Sequence, residues 1–411
     1  MSKLLTKLKL LPLRLLAALM STYRSETARQ APDRSAWAQQ RIALLKLDGI
    51  GDFILATGFL RTVHQEWPQA KITLFCRQPI GDMARQQFPG WSVVEIPQKR
   101  SAIREIWQDK STRRLLQFQP PFDLLIDLRT YRDFLDEVVT SWIPAHYKLA
   151  CQNPYRVNTD WSRWPDDQRI YDQLLKIPAD GDARVAQDIQ SYQFLARWLF
   201  PQMPTLKNAL PRLTLDPAAE THVANVLATQ FQLTAQQPFL LVCPGTSSPT
   251  KEYPIPALAE AIQTVAARHS LPILITGSRS DARTTKPLYE LLKNQCRVID
   301  VSGQFNLAQH PALVARARAV LSMDTGHAHF AGALGTPTVV ILGGGQFGLF
   351  APWGESPTYR WLTHSLPCFG CHWVCSQSYI KCIQDIPVPA IINALSEVLA
   401  ASSERDHAKT A

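Results

Sequence analysis

Six short stretches of this chain are apolar at nearly every position: RIALLKL (41–47), KITLFC (71–76), FDLLIDL (122–128), PFLLVCPG (238–245), LPILITG (271–277) and TPTVVILGG (336–344). A strand that alternates apolar and polar residues has one wet face; a strand apolar throughout must be covered on both. Helical patterns fall between these stretches, including FILATGFLRTVHQEWP (53–68), IPALAEAIQTVAARH (255–269) and HAHFAGALG (327–335). Strands alternating with helices predict parallel, doubly wound α/β sheets. In such sheets ligands sit beyond the carboxyl ends of the strands, so the loops that follow the apolar stretches are where chemistry is expected.

The strands form two series, one from Arg41 and one from about residue 237. At 411 residues, with 46% hydrophobic and 19% charged, the chain has material for two full cores. That composition excludes a disordered, collagen-like or coiled-coil protein. The organisation expected is a basic extension and linker (1–40), a first α/β domain (41–205), a linker (206–236), a second α/β domain (237–385), and a closing helix with a loose tail (386–411). Two such domains in tandem predict a ligand cleft between them. TPTVVILGG reads as the closing strand of the second sheet. No run of about 18 apolar residues is present to cross a membrane as a helix.

The formal net charge is +9, and residues 1–24 hold five cations (Lys3, Lys7, Lys9, Arg14, Arg24) with no acid. A nucleic-acid binder spreads its basic surface over the folded body. Here much of the excess lies in one amphipathic leash with nine leucines, so a nucleic-acid partner is not expected. Leucines beside cations suit an anionic membrane surface. A secretory signal is the competing reading, but Arg14 interrupts the apolar core and no small-residue cleavage site follows Met20. A loose or packed extension is the third.

Four strand-end loops carry unusual residues. Gly49-Ile50-Gly51-Asp52 has two glycines of a dinucleotide fingerprint, but Ile54 stands at the third position, and the second strand ends in Cys76-Arg77 rather than an acid. A nicotinamide site is thus disfavoured. Asp52 remains as a carboxylate at a helix start, either an N-cap or a base. The loop from Cys243 to Lys251 contains Thr246 and Ser247 and ends in a lysine, an anion-binding pattern without Walker A spacing. Thr276 to Asp281 is short and polar. Asp324-Thr325-Gly326-His327-Ala328-His329 joins a strand end to a helix start, whose free N–H groups and dipole favour phosphate. Past the third strand, Asp127, Arg129 and Arg132 could meet an anionic acceptor or form an ordinary loop. Cys368, Cys371, Cys375 and Cys382, spaced C-x2-C-x3-C-x6-C, suit a structural zinc or iron site; free thiols and disulfides are the alternatives.

LLKLDGIGDFILATGFLRTV, CPGTSSPTKEYP, LITGS and LSMDTGHAHFAGALGTPTVVILGG occur in that order. Together they make residues 41–400 resemble glycosyltransferase family 9, the bacterial lipopolysaccharide heptosyltransferases. The resemblance implies a GT-B fold: two Rossmann-like domains facing a central cleft. It implies Asp52 as general base and Lys251 near the donor diphosphate. It also implies Asp324, Thr325, Gly326 and His329 around that diphosphate, with Thr246 and Ser247 beside it. The family's acidic ribose contact maps least cleanly, and Asp281 is its best candidate. Tyr253 stands where the family usually has Trp. Some protein heptosyltransferases bind iron through cysteines, and any metal here is expected away from the transfer site.

The activity implied is inverting transfer of a heptose from ADP-heptose to a lipid-linked, lipopolysaccharide-core-type acceptor, with no cofactor required for catalysis. The implied location is the cytoplasmic face of the bacterial inner membrane, held peripherally through residues 1–24. The alternatives are another nucleotide-sugar donor, a protein or O-antigen acceptor, or an idle nucleotide-binding scaffold.

Overall fold

The computed structural model describes residues 34–97, 110–132, 134–152, 170–177, 187–202, 210–234 and 236–410. The basic leash therefore lies outside the described residues. The chain divides into two compact units: Met1–Asp48, Leu60–Ala179 and Ser191–Thr205 in the first, Gly49–Phe59, Asp180–Gln190 and Leu206–Ala411 in the second. The sequence reading runs its first domain unbroken over 41–205, whereas here the turn carrying Asp52 groups with the second unit.

The first sheet contains β1 (Arg41–Lys46), β2 (Lys71–Arg77), β3 (Ser92–Ile96), β4 (Phe122–Asp127), β5 (Ala145–Cys151) and β6 (Gln173–Leu175), in the order β3-β2-β1-β4-β5-β6. All its pairings are parallel; Ile42 of β1 stands in register with Ile72 of β2 and Leu124 of β4. The helices along this part of the chain are α1 (Ile50–Glu66), α2 (Gly81–Gln87), α3 (Lys110–Gln117), α4 (Phe134–Trp142) and α5 (Gln187–Leu199). Ala43, Leu45, Phe75, Phe122, Leu125 and Trp142 make one buried cluster. Burying each of the larger side chains stabilises the fold by roughly 1.5–3 kcal/mol. Lys46 ends β1 completely buried, its ammonium paired with Asp48 at 2.7 Å and donating to the Tyr192 hydroxyl. A buried charge is tolerable only with such partners.

The second unit contains α6 (Pro217–Phe231), β7 (Leu240–Cys243), α7 (Ile255–His269), β8 (Ile273–Ile275), α8 (Ala282–Leu292), β9 (Val298–Asp300), α9 (His310–Arg316), β10 (Ala319–Met323), α10 (Gly326–Leu334), β11 (Thr338–Ile341), β12 (Tyr359–Leu362), α11 (Lys381–Gln384) and α12 (Val388–Thr410). Its strand order is β12-β11-β10-β7-β8-β9, again parallel throughout. Counted from its own first strand, this is the order of the first sheet. The strand order reverses between β1 and β4 and between β7 and β10, and these switch points are where doubly wound sheets receive ligands.

Four expectations need correction. Residues 34–40 are not a bare linker: Arg34–Gln39 is a 3₁₀ turn that buries Trp37 against Trp67, Tyr147 and Trp198. Residues 206–236 contain α6, capped by Asp216 with Pro217 first in the helix, and buried through Val223 and Leu227. TPTVVILGG supplies β11 but does not close the sheet, because β12 pairs outside it. The tail is not loose after 401, since α12 runs on to Thr410; ASSERDHAKT has no Gly or Pro to stop it. Among the described residues no helix is long and apolar enough to cross a membrane.

Candidate active site

The second unit's switch point is built from the loop after β7 and the start of α10. In the first of these, Ser248 caps a 3₁₀ turn (Pro249–Lys251) and accepts from the Thr250 N–H. The Thr246 hydroxyl donates to the Ser248 carbonyl at 2.7 Å, while Ser247 is exposed. This turn aims Lys251 across the sheet edge. Its ammonium meets Asp324 Oδ2 at 2.9 Å and lies 5.3 Å from the Trp373 ring centroid. Asp324 is 8% exposed and follows β10 directly.

Thr325 then takes the extended N-cap conformation and α10 begins at Gly326. Ala328 is the first residue of this turn whose N–H finds a carbonyl, that of Thr325 at 3.1 Å. The three N–H groups before it, at 325–327, open toward the helix end, where the dipole is positive. His327 stands beside the Thr325 hydroxyl at 3.3 Å and packs on His310 with ring centroids 4.6 Å apart. His329 is buried, and burial pushes its imidazole down to about 4 despite the opposing pull of Asp324. Burial likewise lowers His327 to about 4 and His310 well below the ordinary range. All three rings are therefore neutral at physiological pH.

Asp281 sits beside this loop. Its Oδ2 accepts from the Ser278 N–H and hydroxyl, both at 2.7 Å, in a capping box. A Cβ on Gly245 would stand 2.5 Å from Asp281 Cγ, so only glycine lets the β7 loop approach that carboxylate.

Gly49–Phe59 groups with this same unit. Asp52 is the third residue of α1, and its Oδ2 accepts from the Gly49 N–H at 2.8 Å. It is thus the reaching-back member of a cap rather than the N-cap itself. Its Oδ1 has no partner among the described residues. A Cβ on Gly51 would lie 2.8 Å from His329 Cδ2 and 3.7 Å from Gly326 Cα, and one on Gly326 would lie 3.5 Å from Ile50 Cγ2. The first turn of α1 therefore packs against the first turn of α10, and Asp52, Gly326 and His329 share one locality.

Other expected residues lie elsewhere. Arg129 and Arg132 follow β4 in the first unit and are engaged by their own chain: Arg129 with Asp136 at 2.6 Å, Arg132 with the Cys151 carbonyl at 2.8 Å and over the Tyr171 ring. Burial raises the Asp127 carboxyl, which accepts from the Tyr171 hydroxyl. Tyr253 is core, its hydroxyl donating to the Ile386 carbonyl at 2.7 Å. Cys368, Cys371, Cys375 and Cys382 carry free thiols, and among the described residues no three His, Cys, Asp or Glu side chains stand together in a metal-holding group. Burial raises the Cys382 thiol, and the charges of Cys371, Cys368 and Cys375 push it the same way. The loop that carries them reaches the site through Trp373, whose ring centroid lies 5.3 Å from the Lys251 ammonium. Trp373 and Trp353 are site residues that the sequence reading missed. No motif marks them, because their loops reach the site only through the fold.

Two parallel sheets, each in the order 3-2-1-4-5-6 with its switch point at the first strand, define two Rossmann-like α/β domains in tandem, the arrangement of the GT-B fold. Residues 187–375 match the model for glycosyltransferase family 9 (heptosyltransferase). The resemblance seen in the motifs is borne out. Lipopolysaccharide heptosyltransferase 2 of Escherichia coli (strain K12) is 24% identical over 324 residues, covering 74% of this chain and 82% of that protein. The solved E. coli ADP-heptose lps heptosyltransferase II superposes with a TM-score of 0.62 at 19% identity, over 88% of this chain and 99% of that one. A family 9 glycosyl transferase from Veillonella parvula DSM 2008 gives 0.66 at 16% identity, over 88% and 97%. At such identities the two structures speak for the fold.

Proposed function

We propose that this chain is an inverting glycosyltransferase that moves a heptose or similar sugar from ADP-heptose to a lipid-linked, lipopolysaccharide-core-type acceptor. The observation that carries the reading is the packing of α1 on α10 within the second unit, which brings Asp52 beside the helix start that Lys251 and Asp324 flank. The names of the matched relatives supply heptose and ADP.

In this reading the acceptor hydroxyl attacks the sugar's anomeric carbon from the face opposite the diphosphate. The new C–O bond forms as the bond to the phosphate oxygen breaks, inverting the centre. The hydroxyl proton passes to the open oxygen of Asp52, and the electron pair leaves with ADP. Lys251 and the N–H groups at 325–327 stabilise the charge growing on the diphosphate. Asp324 holds Lys251 in place, Thr246 and Ser247 line the same loop, and Asp281 is placed to accept from the ribose. None of these steps needs a metal. The spacing of Cys368, Cys371, Cys375 and Cys382 is that of a zinc or iron donor set, but as they stand no three of them form a metal-holding group, so an ion stapling this loop would require the thiols to draw together. Metal analysis of protein purified without added metal tests this, with one equivalent per chain expected.

The decisive experiment is a thermal-shift panel of ADP, UDP, GDP and TDP with their sugars. The matching ligand at about 100 times its Kd should stabilise by about 2.7 kcal/mol. No shift with any of them would sink the transferase reading. Residues 1–24 are proposed to hold the enzyme at an anionic membrane on the cytoplasmic face, and their deletion should abolish co-sedimentation with anionic vesicles.

A further inference from the structure

His329 is held from a loop that the sequence does not flag. The indole Nε1 of Trp353 donates to His329 Nδ1 at 3.0 Å, with the two rings 8° from parallel. Trp353 is fixed in turn, because Trp361 Nε1 donates to its carbonyl at 2.9 Å. The Tyr359 hydroxyl, also on β12, donates to the Ala328 carbonyl at 2.8 Å, tying down the turn that carries His329. An indole nitrogen can only donate. His329 Nδ1 is therefore the lone-pair nitrogen, and the proton of the neutral ring sits on Nε2. Among the described residues Nε2 has no acceptor, and its edge faces Gly51, whose Cβ position is 3.4 Å away.

We propose that Trp353 is a positioning residue: it fixes His329 as the Nε2–H tautomer, so that a neutral hydrogen-bond donor, neither base nor cation, meets a phosphoryl or sugar oxygen of the nucleotide-sugar. The proposal rests on the transferase reading of this site. An imidazolium would set a second N–H against the indole N–H, so the pair also resists acid. The charged groups that act on the ring are Asp324 after β10 and Lys251 after β7; of the elements packed around it, β12 carries Tyr359, α1 carries Asp52 and its own helix carries His327. Asp324 favours protonation, while burial and Lys251 oppose it and prevail.

The test begins with the intact wild-type protein and no ligand. Nitrogen-resolved NMR of labelled histidine, with His329 assigned by its loss in His329→Gln, should show Nε2 protonated and Nδ1 bare from pH 8 down to 5. A proton on Nδ1, or a ring charged at pH 6, would overturn the proposal. Trp353→Phe keeps an aromatic ring and removes the donor, together with part of the buried indole. In that variant the two tautomers should mix, with the proton on Nδ1 in part of the molecules, and the Kd for ADP at pH 8 should rise roughly three- to tenfold, the loss of one hydrogen bond's selection. A ring still wholly in the Nε2–H form with unchanged ADP affinity would equally refute it. Because the tautomer is read without ligand, the outcomes separate. A wild type that binds no nucleoside diphosphate defeats the transferase reading, whereas one that binds ADP with Nδ1 protonated defeats this inference alone.

Discussion

Asp52 shows how much a single residue's position decides. As the third residue of α1 it spends one oxygen on the Gly49 N–H and keeps the other open. Asp52→Asn can retain the Gly49 bond through its amide oxygen, so stability should change little. The variant loses the basic carboxylate, and steady-state turnover with ADP-heptose should fall about 10²–10⁴-fold while ADP affinity holds. Unchanged turnover would reduce Asp52 to a helix cap. Lys251 is placed differently: it bonds Asp324 and lies against Trp373. Lys251→Ala removes a charge-assisted contact of roughly 1.5–3 kcal/mol, so titration calorimetry should show ADP binding about 10–100-fold weaker. Both residues stand out in the sequence, because a carboxylate at a helix start and a lysine closing a Ser/Thr loop are local patterns. Trp353 and Trp373 do not stand out, because each acts through a partner distant in sequence.

Among the elements, helices and strands with strong periodicity are legible and those without it are not. IPALAEAIQTVAARH (255–269) is helical over the very residues its pattern marks. β5 and β6 escape notice because AHYKLAC mixes polar with apolar residues and QLL is only three long. α6 was legible in principle, since Asp216 and Pro217 are an N-cap and first-turn pair. Trp37 was legible too, as a large aromatic among small polar residues that gains most by burial. The contact between α1 and α10 depends on a missing side chain. Gly51→Ala would drive a Cβ to 2.8 Å from the His329 ring, which Trp353 holds in place. Overpacking of this kind costs about 1–3 kcal/mol. The melting temperature should drop and turnover fall with it. A variant as stable and active as the wild type would mean the two turns do not need this approach.

On the scale of the whole molecule, buried neutral histidines set a pH limit. His329 falls to about 4 in the folded state from an ordinary 6.5. Between those values the unfolded chain binds the proton and the folded one does not, so stability drops as pH falls from about 6.5 toward 4. His329 alone accounts for about 2 kcal/mol by pH 5, and His327 and His310 act in the same direction. Urea midpoints measured at pH 5 and 7.5 should differ accordingly, and equal midpoints would mean these rings are not buried neutral.

What the sequence determined by itself is the class of fold and the chemistry of the loops. Strands apolar on every position demand cover on both faces, and residue type at a strand end fixes whether a loop offers a carboxylate, a cation or bare N–H groups. Tertiary structure decided which of these groups meet. That Gly51, next to Asp52, lies beside Gly326, that a tryptophan fixes the proton on His329, and that the cysteine loop reaches Lys251 depend on close packing between segments tens to hundreds of residues apart. Packing of that kind is set by side-chain volume and the absence of a single Cβ, and these leave no periodic trace along the chain.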